Sequence, residues 1–340
     1  MTIASFTPTG FAGQVVRHER SINIATHALR LPFAFPSSSS IMQQRSNATA
    51  IARTIAAPAL SAVLLATLSA CGGGGGGGSP TANVTSMSVS ASMYAGTATV
   101  SINGSGLDNT LALSSSVCTG FALQSGSTAT SATYKCTVSG GLTGAVVAKS
   151  NGTQVGSASF TVPAPVVKMT LNNTLAVNGD IIITLAPDKA PKTVDNFLHY
   201  VNTGFYNQTI FHRVVSNFIM QGGGYAPQIT DVSTATLKTG LFAPIALEAT
   251  GLSNLPLSIA MANANSTTNT TTTTSQFFIN LGSNISLNGN YAVFGTVTGG
   301  TDLITKVTAA PANCVSNQAA LTVDCLPIPN VVITAAVQSQ

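Results

Sequence analysis

Phe211-His212-Arg213-Val214-Val215-Ser216-Asn217-Phe218-Ile219-Met220-Gln221-Gly222-Gly223 sets one arginine and one glutamine among aromatic and aliphatic side chains and closes on a glycine pair. A guanidinium keeps its charge, so in apolar surroundings it needs a network of partners or a ligand to face. Charges are scarce here: from Cys71 onward the chain holds eight Lys or Arg and eight Asp or Glu.

Outward from this stretch, three further segments fall in a fixed order. Ala190-Pro191-Lys192-Thr193-Val194-Asp195-Asn196-Phe197-Leu198-His199-Tyr200-Val201 places Val194, Phe197, Leu198 and Val201 at helical spacing, with Pro191 suited to a first turn and Gly204 to the stop. Leu257-Ser258-Ile259-Ala260-Met261-Ala262-Asn263-Ala264 leads through a Thr/Asn-rich connection to Ser275-Gln276-Phe277-Phe278-Ile279-Asn280. Leu287-Asn288-Gly289-Asn290-Tyr291-Ala292-Val293-Phe294-Gly295 comes last, and Glu248 precedes the second segment. In order and spacing these segments, over about 166–307, resemble the cyclophilin-type peptidyl-prolyl cis-trans isomerases. The resemblance implies an all-β dominated fold, a closed eight-stranded antiparallel barrel capped by two helices, the second around Gly300–Val307.

It also implies an activity. Rotation about the bond before proline meets a barrier of ~18–20 kcal/mol because resonance holds the C–N bond planar. No bond is made or broken, so the chemistry asks for no nucleophile, metal or cofactor, and none is expected. Carried over by resemblance, Phe218, Ile219, Phe278 and Leu287 line a proline pocket and Arg213 is the donor to the proline nitrogen. Gln221 and Asn263 complete the catalytic group by holding substrate backbone or orienting Arg213; Gln276 supports them. Ala262 and Ala264 are small where substrate lies close, and Tyr291 stands where many members have a histidine. Strand alternation points Met220 and Phe277 into the core, and His212 reads as a structural hydrogen-bonder because no proton needs abstracting. His199, with no acid nearby in sequence, reads as a surface or boundary histidine.

The chain departs from the pattern in three further places. Ser286 stands where eukaryotic members often have a tryptophan, Ile219 replaces the usual methionine, and 265–274 is a longer Thr/Asn-rich connection beside the groove. Two other readings stay open at this level: a proline-peptide-binding or chaperone module without turnover, and a structural envelope protein acting through the middle domain.

The ends carry separate signals. Arg45 and Arg53 precede a small, apolar run from Thr54 to Ala70, ending Leu68-Ser69-Ala70-Cys71. A basic segment, an apolar segment and small residues before a cut describe an export signal, and this ending resembles bacterial lipoprotein signals with Cys71 as the lipidated residue. A short transmembrane anchor is the alternative, against which the run is brief and interrupted by Pro58. Met42 begins a signal of ordinary length, so 42–70 reads as the signal and 1–41 as an extension upstream of the true start. By the same resemblance, the lack of aspartate after Cys71 favours the outer membrane, facing the periplasm. Gly72–Gly78 and Ser79-Pro80 make 71–81 a flexible tether.

From 82 to 163 the chain is rich in Ser, Thr, Gly, Ala and Val. Short alternating runs at Thr85–Ser92, Gly96–Ile102, Leu111–Ser114, Thr133–Val138, Ala145–Ala148 and Ser157–Val162 are separated by the turn signals Asn103-Gly104, Ser139-Gly140-Gly141 and Asn151-Gly152. This predicts a small immunoglobulin-like β-sandwich with no acid–base pair, a spacer or a surface for an envelope partner. Pro163-Ala164-Pro165 reads as a stiff hinge to the isomerase domain, 166–337. Cysteines pair locally as Cys118–Cys136 and Cys314–Cys325, as an oxidising compartment allows. With two histidines after Cys71 and no close Cys-x-x-Cys, no metal site is expected. The balanced charge beyond Cys71 excludes a polyanion such as nucleic acid as the natural partner. The expected partners are proline-containing segments of exported proteins.

Overall fold

The computed structural model describes residues 81–107, 111–230, 235–263, 272–309, 314–316 and 325–340. All belong to one compact unit, Ala62–Gln340. The expected signal, lipidated Cys71 and tether lie outside the described residues, as do Ala264 and most of the Thr-rich connection.

The middle segment forms seven strands: β1 (Asn83–Ser90), β2 (Thr97–Ser105), β3 (Leu111–Ser115), β4 (Cys118–Leu123), β5 (Ser131–Val138), β6 (Thr143–Ser150) and β7 (Thr153–Thr161). They make two antiparallel sheets, ordered β1-β2-β5-β4 and β3-β6-β7, whose inward residues join one hydrophobic cluster. On β5, Ala132, Tyr134, Cys136 and Val138 are buried in strict alternation while Lys135 and Thr137 face out. The Cys118–Cys136 disulfide is present, with Cα atoms 5.8 Å apart, and ties β4 to β5. β4 is a strand that the alternation reading did not single out. Asn151-Gly152 makes the expected tight hairpin, both residues having positive φ (51° and 81°). Asn103-Gly104 does not turn: β2 runs on through it, with Gly104 opposite Val84, and the first positive φ after it is at Gly106 (65°). Pairing with β1 overrides the local turn preference there. A Cβ on Gly104 would sit 2.0 Å from the Asn83 carbonyl oxygen, so glycine serves close approach in that strand.

The C-terminal segment builds a closed barrel. Its strands are β8 (Val166–Asn172), β9 (Asn178–Leu185), β10 (Thr209–Val215), β11 (Ile219–Gly222), β12 (Ser258–Met261), β13 (Phe277–Asn280), β14 (Val293–Gly299) and β17 (Val331–Gln338). The order β11-β13-β12-β14-β9-β8-β17-β10, with β10 pairing back onto β11, closes an antiparallel ring of eight. A small hairpin of β15 (Cys314–Ser316) and β16 (Cys325–Pro327) extends from β10. Cys325 is disulfide-bonded, and the Cys314 side chain lies outside the described residues.

Two helices are present as expected, α1 (Pro191–Asn202) and α2 (Thr301–Thr308). Pro191 opens α1, and Val194, Phe197, Leu198 and Val201 are buried. Phe197 reaches Phe294 at 4.9 Å and meets Phe277 edge-on at 5.6 Å, so α1 packs its apolar face onto barrel residues. No residue near the start of α1 caps it. Instead the Glu248 carboxylate accepts from the Lys192 and Thr193 amides (3.2 and 2.9 Å) and the Thr193 hydroxyl (2.7 Å). A carboxylate there satisfies orphan donors and complements the helix dipole.

Beyond the Pro163-Ala164-Pro165 link, the middle segment is hydrogen-bonded to the barrel segment. The buried Tyr94 hydroxyl donates to Asp195 Oδ1 on α1 at 2.6 Å and accepts from the Gly140 amide at 2.9 Å. The Leu142 amide donates to Asp188 at 2.8 Å, and Gln338 Nε2 donates to the Tyr94 carbonyl at 2.7 Å.

Candidate active site

β10 and β11 form a hairpin whose turn, Ser216-Asn217-Phe218, needs a left-handed residue, and Asn217 supplies it (φ 58°). The Phe218 amide closes the turn on the Val215 carbonyl at 3.0 Å. This folds Phe218 back towards its own strand, 5.8 Å from the Arg213 guanidinium carbon. A β-bulge between Phe211 and Arg213 breaks the alternation of β10: Phe211 stays in the core against Phe277, whereas Arg213 is half-buried and opposite Gln221.

On β11 and β13, alternate residues separate core from site. Met220, Phe277 and Ile279 enter the main core. Ile219 and Phe278 join a second, small apolar cluster with Ala260 and Val293, against which Phe218, Leu252, Ala262, Leu287 and Tyr291 pack. The Tyr291 ring stands edge-on to Phe278 at 5.3 Å and 82°. Six of the expected substrate-binding residues (Phe218, Ile219, Ala262, Phe278, Leu287 and Tyr291) therefore share one patch, and Met220 and Phe277 point inward as alternation requires.

The polar side of the patch is assembled by close backbone approach. Gln221 Nε2 donates to Gln276 Oε1 at 3.0 Å. A Cβ on Gly224 would lie 2.7 Å from Gln276 Cγ, so glycine there makes room for Gln276 to reach Gln221. Asn263, just past β12, accepts a hydrogen bond from the Thr272 hydroxyl at Oδ1. Thr272 is the first described residue of the Thr-rich connection, so the last residues of that connection are held beside the site.

His212 is buried, with its ring edge-on to Tyr225 at 4.7 Å. Burial, reinforced by the Arg213 charge, lowers its pKa to about 4, against which a hydrogen bond to the Ile210 backbone favours the proton. The ring is therefore neutral at neutral pH. His199 is exposed and stacked on Phe242 at 3.8 Å.

Residues 166–336 match the sequence model of the cyclophilin type peptidyl-prolyl cis-trans isomerase/CLD family. The chain belongs to this family. Among curated relatives, the chain is 42% identical over 138 residues to peptidyl-prolyl cis-trans isomerase cyp18 of Streptomyces antibioticus, covering 38% of this chain and 77% of that one. It is 43% identical over 141 residues to a peptidyl-prolyl cis-trans isomerase of Acinetobacter baylyi (40% of this chain, 70% of that one). It is also 42% identical over 139 residues to peptidyl-prolyl cis-trans isomerase B of Escherichia coli (38% and 79%). The activity of this isomerase is cis–trans rotation of peptidyl-prolyl bonds, and its partners are proline-containing peptides.

Three members of the apolar patch, Leu252, Ala260 and Val293, were not singled out by the sequence reading. Ala260 and Val293 carry a signal, lying two residues from Ala262 and Tyr291 on the same runs. Leu252 lies in a long connection without periodicity and carries none. Elsewhere on the barrel, a cavity of about 600 Å³ is lined by Asn173, Gln208, Gln228 and Asn330 among others and includes none of the expected site residues.

Proposed function

We propose that this isomerase turns Xaa–Pro bonds in accessible segments of exported proteins, from a lipid anchor in the cell envelope. The observation that carries the site is the joining of Arg213 and Gln221, on facing strands, to the apolar patch of Phe218, Ile219, Phe278 and Leu287. That patch takes the pyrrolidine ring. Arg213, held at its edge by the Phe218 face, donates to the proline nitrogen as the bond twists and the nitrogen regains its lone pair. The contact accelerates rotation because it strengthens only in the twisted state. A planar guanidinium fork is pre-organised for this in a way a lysine is not. Gln221, linked to Gln276, and Asn263 hold the flanking backbone, while the small Ala262 and Ala264 leave room for it.

The anchor rests on the Leu68-Ser69-Ala70-Cys71 ending after an apolar run, the glycine tether and the use of disulfides. The two-sheet middle segment, read as an immunoglobulin-like sandwich, is then a spacer bonded to the barrel. An isomerisation assay on a Xaa-Pro peptide tests the catalytic part: no rate above background with peptide still bound would sink the role given to Arg213. Fractionation tests the anchor, with wild-type protein expected in the membrane fraction and Cys71→Ser in the soluble one. Equal distribution of the two would remove the lipid anchor from this reading.

A further inference from the structure

Four asparagine carboxamides lie in a continuous chain behind the apolar patch. Asn284 Nδ2 donates to the Phe218 carbonyl and to Asn280 Oδ1, both at 2.7 Å. Asn280, fully buried at the end of β13, donates through Nδ2 to Asn254 Oδ1 at 3.1 Å and Ser258 Oγ at 2.9 Å. Asn254, also fully buried, donates from its backbone amide and from Nδ2 to Asn288 Oδ1, at 2.8 and 3.1 Å. Asn288 Nδ2 donates to Ser253 Oγ at 3.2 Å.

The two ends of this chain bracket one short 3-10 turn, Ile285–Leu287, with Asn284 as its N-terminal and Asn288 as its C-terminal flanking residue. The turn contains no buried side chain. Leu287 is only half-buried against the patch, so packing holds it on one side and the hydrogen bonds that flank the turn complete its placement. At its Asn284 end the same chain grips the carbonyl of Phe218, which the Leu281 amide also reaches at 2.8 Å. Leu287 and Phe218 both pack on the apolar patch, and Phe218 faces Arg213.

We propose that Asn254, Asn280, Asn284 and Asn288 are positioning residues of the isomerase, which fix the separation of Leu287 from Phe218 and so the width of the proline pocket. The proposal rests on the pocket reading given above. Every bond named runs between carboxamides, hydroxyls and backbone, so the spacing it sets does not depend on ionisation. Buried amide networks hold geometry well only when each member is satisfied, and loss of one donor leaves its neighbour's acceptor unpaired in a poorly hydrated site.

The test measures KM and kcat on a Xaa-Pro peptide, with the unfolding midpoint recorded alongside, for Asn284→Ala, Asn288→Ala, Asn288→Asp and Arg213→Ala in the full chain. Asn288 is exposed, so its variants fold even where a change at Asn284 does not. Both asparagine-to-alanine variants are expected to raise KM roughly tenfold, the scale of a lost apolar contact in a pocket, with a smaller change in kcat. Asn288→Asp keeps the oxygen that accepts from Asn254 and should restore the wild-type KM. A lowered midpoint with wild-type KM in the alanine variants, while Arg213→Ala is inactive, overturns the proposal and leaves the pocket reading standing. Unchanged turnover in Arg213→Ala overturns the pocket reading itself.

Discussion

The guanidinium carbon of Arg213 lies 5.8 Å from the centroid of the Phe218 ring, across the hairpin that carries both. The aromatic face stabilises the cation and limits where it can swing, at about 0.5–1 kcal/mol for a partly exposed pair. Arg213→Ala should lower turnover about 10²- to 10³-fold, as when one pre-organised donor is removed. Its unfolding midpoint should barely move, because the side chain is half-buried and outside the main core. Arg213→Lys keeps the charge without the fork and should recover little. A peptide isomerisation assay reads all three, and a wild-type rate in Arg213→Ala overturns the assignment.

His212 gives the fold an acid-sensitive element beside that arginine. In the folded chain its pKa is lowered from 6.5 to about 4, by burial first and the Arg213 charge second. Between those values the unfolded chain takes up a proton that the folded chain refuses, so stability falls as pH falls from 6.5 towards 4. The full effect is about 3 kcal/mol, reached below pH 4. Asp195 acts in the opposite sense: burial raises its pKa above 3.8, so folding gains as it protonates. Denaturant unfolding across this range should show the loss in wild type, and His212→Gln should remove it and leave the weaker Asp195 trend. A loss of the same size in His212→Gln would assign the acid sensitivity elsewhere.

The helix was legible because it rests on a local period, whereas the pocket residues came from the resemblance of whole segments and alternation only sorted their neighbours. Pro191, four apolar residues at helical spacing and Gly204 suffice for α1, and alternation on β11 and β13 separates Met220 and Phe277 from Ile219 and Phe278. The turn signal at Asn103-Gly104 misled because register with β1 outweighs two residues' preference. What escaped is held by single polar contacts between distant segments. Asn254 is 26 residues from Asn280 and 34 from Asn288, and asparagines outside a periodic run read only as loop. Tyr94 and Asp195 are 101 residues apart, and nothing near either names the other.

That tyrosine fixes the middle segment to α1. Its hydroxyl donates to Asp195 and accepts from Gly140, while the ring is fully buried. Tyr94→Phe leaves the ring's packing intact but strips a donor from a partly buried carboxylate and an acceptor from an amide. The expected loss is about 1–3 kcal/mol, the cost of buried polar groups left unpaired. Turnover on a short peptide should stay at the wild-type value, because Tyr94 contacts α1 and not the apolar patch. Reduced turnover in Tyr94→Phe would mean that the middle segment also sets the site.

Glu248 separates the charge and hydrogen-bond parts of a helix cap, since it binds the first turn of α1 through both carboxylate oxygens. Glu248→Ala removes every one of these contacts and should cost about 1–2 kcal/mol, as for loss of a strong N-cap. Glu248→Gln keeps one acceptor oxygen and loses the charge, whose interaction with the helix dipole is worth about 0.3–1 kcal/mol. The same charge raises the Asp195 pKa, as a contribution secondary to burial, so its removal relieves some of the penalty on ionised Asp195. Glu248→Gln, which also gives up the acceptor for one of the two amides, should therefore cost less than Glu248→Ala, and its deficit should shrink as pH rises and Asp195 ionises. Unfolding free energies of the two variants, with amide exchange at Lys192 and Thr193, measure this. A larger deficit in Glu248→Gln than in Glu248→Ala, or unaltered exchange in both, would show that α1 is not capped from Glu248.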